Sequence, residues 1–138
     1  MRARDEGSLA LEMVIIIPVL FLLVALVFAY GRAAQVNGTL QAGVRDAARS
    51  ASRARDAVQA QARAEAVIRE AIGPGATGCL NSLQVDPVTF QRDVPVTVTA
   101  RCSYPLGDLG LPGAPGAITA SATFASPLDP NRGLDDVP

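Results

Sequence analysis

The sequence contains no histidine and no lysine, so all 12 of its basic residues are arginine. Without lysine there is neither a P-loop nor a Schiff-base nucleophile, and without histidine the usual general base and the commonest metal ligand are missing. Most enzyme classes are thereby removed, and the carboxylates, serines and two cysteines that remain form no recognisable catalytic set. No enzymatic activity, metal, cofactor or small-molecule substrate is expected. Charge of either sign is also in short supply: a net charge of -1 gives no reason to expect nucleic acid or a strongly anionic surface as partner. The 138 residues suffice for one small domain beside a membrane segment.

What the chain does have is an uncharged apolar run over residues 13–30, with Leu9, Ala10 and Leu11 in front of it. A helix needs about 20 apolar residues to cross the roughly 30 Å hydrocarbon core of a bilayer, and this stretch reaches that length. Pro18 alone breaks the pattern; it removes one backbone hydrogen bond, which spanning helices tolerate. A secretory signal peptide, cleaved after Ala34, is the rival reading, but its apolar part is normally only about 7–15 residues long. Glu12 needs a reason, because a carboxylate at the edge of an apolar segment costs a few kcal/mol. It reads either as a charge capping the first helical turn at headgroup depth or as a group kept for a partner.

In front of Glu12 stands a short polar leader, residues 1–7, carrying Arg2, Arg4, Asp5 and Glu6 and ending in Gly7. Glu12 is the fifth residue after Gly7. This arrangement resembles the class III leader of type IV pilin-like proteins, which a membrane prepilin peptidase cuts after the glycine. More closely, Gly7-Ser8-Leu9-Ala10-Leu11-Glu12, Pro18 six residues later and the exit Tyr30-Gly31-Arg32 resemble the TadE-like family of the tight adherence (Tad, or Flp) pilus assembly system. The resemblance covers residues 7 to about 50. Met13 departs from it, standing where many of the family's pilin-like members carry tyrosine. The resemblance implies processing between Gly7 and Ser8 and a mature chain beginning at Ser8. It also implies that Glu12 registers one subunit against another, pairing with the new amino group of a neighbour. The implied partners are the membrane, the prepilin peptidase, other pilin-like subunits and the assembly platform.

The fold class expected is α+β: a transmembrane helix (8–30) running into a long amphipathic helix (31–72), then a small domain (73–126) holding an antiparallel sheet of about three strands, and a disordered tail (127–138). Residues 34–72 are rich in Ala, Arg and Gln and free of proline, and read as one helix loosened at Asn37-Gly38. Val36, Leu40, Val44, Val58, Ile68 and Ile72 fall on one face, which Ala47, Ala51, Ala54 and Ala62 continue. An alanine-rich stripe admits a close neighbour: another subunit's helix, or the chain's own sheet. Arg45, Arg49 and Arg53 are read as a solvated face, with Asp46 near Arg49 and Asp56 near Arg53 for local pairing. Gly73-Pro74 stops the helix.

Beyond it, Val94, Val96, Val98, Ala100, Cys102 and Tyr104 alternate with polar residues, which is a strand with one buried face. Residues 83–90 are its expected partner through the turn Gln91-Arg92-Asp93, with Pro87 implying an edge or a bulge. Ile118, Ala120, Ala122 and Phe124 give a third strand. Cys79 and Cys102 fit a disulfide better than a zinc site, which would want four ligands; two buried free thiols are the alternative. The positive-inside rule gives no orientation, since Arg2, Arg4 and the amino terminus face Arg32, Arg45 and Arg49 across the membrane. A disulfide favours an exported C-terminal domain, on a single-pass protein of the cytoplasmic membrane.

Three functions compete on these grounds. The first is a membrane-anchored minor pilin or pseudopilin acting in Tad pilus assembly and hence adhesion. The second is a single-pass envelope protein whose sheet binds a ligand and whose leader is never cut. The third is a soluble protein released after Ala34.

Overall fold

A computed structural model of the chain describes residues 5–111 and 113–128, with side chains described from residue 11 onward. The first four residues of the expected leader and the expected tail from residue 129 lie outside the described residues. One helix dominates. α1 (Asp5–Ala51) is 47 residues long, which at 1.5 Å per residue gives it a length of about 70 Å. Its first part carries the apolar run, and its last part is the spine of a small α+β domain. That domain adds α2 (Ala57–Ile72), the short α3 (Thr77–Ser82), β1 (Gln84–Val85), β2 (Val96–Pro105), a 3-10 turn at Leu106–Leu109 and β3 (Ala117–Ser126). The α+β class expected from the sequence is the class observed.

The helical part differs from expectation in where it breaks. α1 runs straight through Asn37-Gly38, and the break falls instead at residues 52–56, after which α2 folds back along α1. Asp56 supplies the physical reason: its carboxylate accepts a 2.7 Å hydrogen bond from the backbone N–H of Gln59, capping a new helix start. At the other end of α2, Gly73 (φ 66°) donates its N–H to the Arg69 carbonyl and closes the helix as Gly73-Pro74 suggested. The reversal also changes which face of α2 is inward. Ala60, Ala64, Ile68 and Ile72, at four-residue spacing, are buried; Val58 and Ala62, expected inside, are exposed, Val58 by 80%.

On α1 the matching face is Leu40, Val44, Ala47, Ala48 and Ala51, each at most 1% exposed. Because these side chains are small, the two helices approach until a methyl built on Gly43 would lie 2.8 Å from Ala71 Cβ. The close neighbour that the alanine stripe admits is therefore the chain's own α2. The sheet covers the other flank of α1. β2 is its central strand, in the order β1-β2-β3, and all pairings are antiparallel. Val96, Val98, Ala100, Cys102 and Tyr104 are the inward set of β2, as the period-two pattern predicts. Ala120 on β3 is buried, while Ile118 near the strand's start is 37% exposed.

Pro87 marks a bulge. Gln84 pairs with Arg101 and Val85 with Ala100, but Thr89 bridges to Thr97, so three residues of the edge segment face two of β2. Missing its N–H, Pro87 sits where the ladder makes no demand for one. The Gln91-Arg92-Asp93 turn closes with Asp93 at φ 61°, a left-handed conformation that aspartate tolerates.

Candidate functional site

The apolar part of α1 is a continuous exposed apolar surface. From Leu11 to Phe28 every large hydrophobic side chain is between 45% and 72% exposed. Fully burying each such side chain is worth about 1.5–3 kcal/mol, so this stretch is unfavourable in water and favourable in lipid or against other helices. Among the described residues it is one helix long and apolar enough to cross a membrane, with a mean hydropathy of 3.0. Glu12 lies near its start and is exposed like its neighbours. Gly7 and Ser8 belong to the backbone of α1, and the side chain of Ser8 lies outside the described residues.

Within the domain, Cys79 of α3 and Cys102 of β2 are joined in a disulfide, with Cα atoms 4.9 Å apart. Both are buried, at 0% and 2% exposure. Ser82 reinforces the junction: its hydroxyl accepts from the backbone N–H of Ser103 at 2.8 Å and also bonds the Ser103 carbonyl, so α3 continues the edge that β1 leaves short. Glu12 and the disulfide do not form one site. From Glu12 to Ala29, where the domain core begins, α1 rises about 25 Å at 1.5 Å per residue.

On the arginine face, Arg45 reaches across to the sheet. Arg45 places its guanidinium 5.2 Å from the ring centroid of Phe124 on β3, a cation–π contact between α1 and the sheet. Asp56 is used as a helix cap. An ion pair joins Arg101 and Asp86 at 2.7 Å. Both partners are about half exposed, and such pairs contribute little.

Where the apolar run ends, the domain comes down onto it. A methyl on Gly110, just after the 3-10 turn, would lie 2.9 Å from Phe28 Cε1, and Ala29 is buried in the domain core. Immediately above, α1, the 73–78 segment, β2 and the 3-10 turn enclose a cavity of about 320 Å³, open to solvent. Arg32, Gln35, Tyr104 and Asp108 supply its polar lining, with Thr39 beyond them. No pattern in the sequence marks this cavity, because its residues come from distant segments and share no spacing. A tyrosine ending the inward set of a strand was the available signal.

Residues 7–49 match the model of the family described as TadE-like protein. This N-terminal segment is TadE-like. No curated protein matches the chain, nor does any solved structure. The TadE-like segment takes in Gly7, Glu12, Pro18, the whole apolar run and the part of α1 that forms the domain's spine, and ends two residues before α1 does. The resemblance read from residues 7 to about 50 and the match over 7–49 therefore coincide. The α2 hairpin, the sheet and the disulfide lie outside the matched segment.

Proposed function

We propose that the chain is a membrane-anchored minor pilin or pseudopilin acting in assembly of a Tad (Flp) pilus, and through the pilus in adhesion. The observation that carries this reading is the TadE-like segment itself, in which a glycine, a glutamate five residues later and a spanning-length apolar helix stand in sequence. The exposed stretch of α1 adds support, because apolar side chains left uncovered by the described residues are favourable only with lipid or neighbouring subunits around them. In this reading the helix crosses the cytoplasmic membrane once and the disulfide-linked domain is extracytoplasmic, where disulfides persist.

Release after Ala34 fits the fold less well. α1 is continuous through Ala34, and cleavage there would divide the helix and remove Ala29 from the domain core. The test is N-terminal sequencing with intact-mass analysis of the chain recovered from membranes of cells that contain the prepilin peptidase. The expected product begins at Ser8 and resists alkaline extraction, and Gly7→Leu blocks processing because a side chain now stands at the scissile position. A chain that keeps residues 1–7 in the presence of the peptidase would refute the pilin-like assignment and favour an unprocessed envelope protein.

A further inference from the structure

The two ends of the domain differ in charge. β2 runs toward the apolar stretch of α1 and β3 runs back from it: Gly110, in the connection between them, stands against Phe28, whereas Ser126 at the end of β3 bonds Ser52 beyond the far end of α1. At that far end the 52–56 and 91–93 turns carry Arg53, Arg55, Asp56, Arg92 and Asp93. At the near end, residues 109–128 contain no charged side chain. A loop surrounded by water is expected to be polar, as those distal turns are.

The depth of the near end follows from the charges that bracket the apolar run, Glu12 before it and Arg32 after it. At 1.5 Å per residue these stand about 30 Å apart along α1, the thickness of the hydrocarbon core. With Arg32 at the boundary, Phe28 lies one turn, about 6 Å, inside it, and helical side chains lean toward the helix N-terminus, which takes the ring further in. A methyl on Gly110 would lie 2.9 Å from Phe28 Cε1. The connection between β2 and β3 is therefore level with the edge of the hydrocarbon.

Its backbone suits that depth, where water is scarce and a free N–H is costly. The N–H of Leu106 donates to the Gly116 carbonyl at 3.1 Å, that of Gly110 to Gly107 at 3.2 Å, that of Leu111 to Leu106 at 3.3 Å and that of Ala114 to Leu111 at 3.1 Å. Pro115 has no N–H to satisfy. Ile118 alternates with the outer face of β3, in step with buried Ala120, yet is 37% exposed, and Leu111 is half-buried. Both are apolar surface that the domain's own core leaves uncovered.

We infer that the connection between β2 and β3 is a second membrane contact, resting in the interface of the same bilayer that α1 crosses and offering it Leu111, Pro115 and Ile118. This rests on the membrane-anchored reading above, which supplies the bilayer. The surface is continuous with the apolar run through the Gly110–Phe28 contact, so lipid that surrounds the one meets the other. Because α1 is a single helix from the run into the domain, a domain seated in this way acts as a stop. It sets how far α1 sinks into the bilayer, and with it the depth of Glu12 at the other end of the run.

The chain contains no tryptophan, so a single introduced tryptophan reports on its own surroundings. Pro115→Trp and Ile118→Trp are compared with Val94→Trp, a position with the same 37% exposure as Ile118 but at the distal end of the domain. Each full chain, disulfide intact, is reconstituted at a low protein-to-lipid ratio in vesicles of phosphatidylethanolamine and phosphatidylglycerol with acyl chains brominated near the headgroup, since bromine quenches tryptophan on contact. Near-UV circular dichroism checks the fold of each variant. Both loop tryptophans should emit at shorter wavelength than Val94→Trp and lose most of their emission to the bromine, while Val94→Trp keeps its own. Adding Pro115→Glu to the Ile118→Trp chain should reduce the quenching, because the hydrocarbon edge disfavours a carboxylate. Loop tryptophans quenched no more than Val94→Trp, or quenching indifferent to Pro115→Glu, would overturn the inference. Short-wavelength emission that bromine leaves intact and that dilution with lipid abolishes would overturn it in favour of a neighbouring copy covering the loop. A chain that alkali strips from the vesicles fails the anchored reading itself, whereas one that resists alkali with its loop tryptophans unquenched fails this inference alone.

Discussion

At the scale of single residues the domain depends on small side chains at contacts. Gly43 faces α2 so closely that any β-carbon there meets Ala71 at 2.8 Å, with the Ile68 backbone 3.8 Å away. Neither neighbour is the flexible end of a long side chain. Gly43→Val should therefore separate the α1–α2 hairpin, by overpacking that typically costs about 1–3 kcal/mol. Gly43→Ala should cost less, because it adds one carbon at this contact where valine adds three. Thermal unfolding of the domain, followed by near-UV circular dichroism in detergent, checks the order. A valine variant as stable as the parent would mean that the two helices are not in contact at this point. Tyr104 is the opposite case, a large residue whose buried hydroxyl makes no hydrogen bond among the described residues. Tyr104→Phe should accordingly leave the domain at least as stable in the same unfolding measurement, since it relieves an unpaired group and leaves the packing of the ring in place.

At the scale of elements, legibility followed the strength of the local signal. β2 was readable because strict alternation over Val96, Val98, Ala100, Cys102 and Tyr104 admits one interpretation. The bulge at Pro87 was readable because proline cannot serve a ladder. The hairpin between α1 and α2 was not, since Ser52-Arg53-Ala54-Arg55 contains neither glycine nor proline and every residue in it tolerates a helix. Its one local sign was Asp56 followed three residues later by Gln59, a capping pattern. Alanines hid the rest, because a residue so frequent on every face carries little periodicity; only tertiary contact distinguishes Ala60 and Ala64, which are buried, from Ala62, which is exposed.

The same scarcity of large side chains makes the disulfide matter. Beyond Leu40, Val44, Ile68, Val96, Val98 and Leu109, the fully buried core is mostly alanine and cystine. A cross-link with a sequence separation of 23 is worth about 3 kcal/mol on the chain-entropy model. The double substitution Cys79→Ser with Cys102→Ser should lower domain stability by an amount of that order and expose residues beyond 51 to protease. Membrane retention should stay normal, because α1 and its apolar run do not depend on α3 or β2. Two thiols that alkylate freely in protein taken from the envelope would show instead that the pair is not joined in the cell.

At the scale of the whole molecule, a domain sits at one end of a 47-residue helix whose apolar stretch, from Leu11 onward, is exposed among the described residues. Such a shape makes Glu12 a question about neighbours, since no described group of this chain approaches it. In a bundle of identical helices a carboxylate at the edge of the hydrocarbon is unfavourable unless an opposite charge meets it, and the amino group exposed on Ser8 of an adjacent, processed subunit would be such a charge. Glu12→Gln keeps the shape and removes the charge. Helix formation, insertion and cleavage after Gly7 should be unchanged, whereas crosslinking to pilin-like subunits and surface piliation should fall. If Glu12 serves only as a helix-terminal charge, the same variant should cost a few tenths to about 1 kcal/mol of local helix stability and leave assembly intact. The comparison is made in cells where the variant is processed and present at normal amounts, so that loss of piliation cannot be blamed on loss of protein. Normal crosslinks and normal pili under those conditions would assign Glu12 to capping and remove subunit registration from the account of this chain.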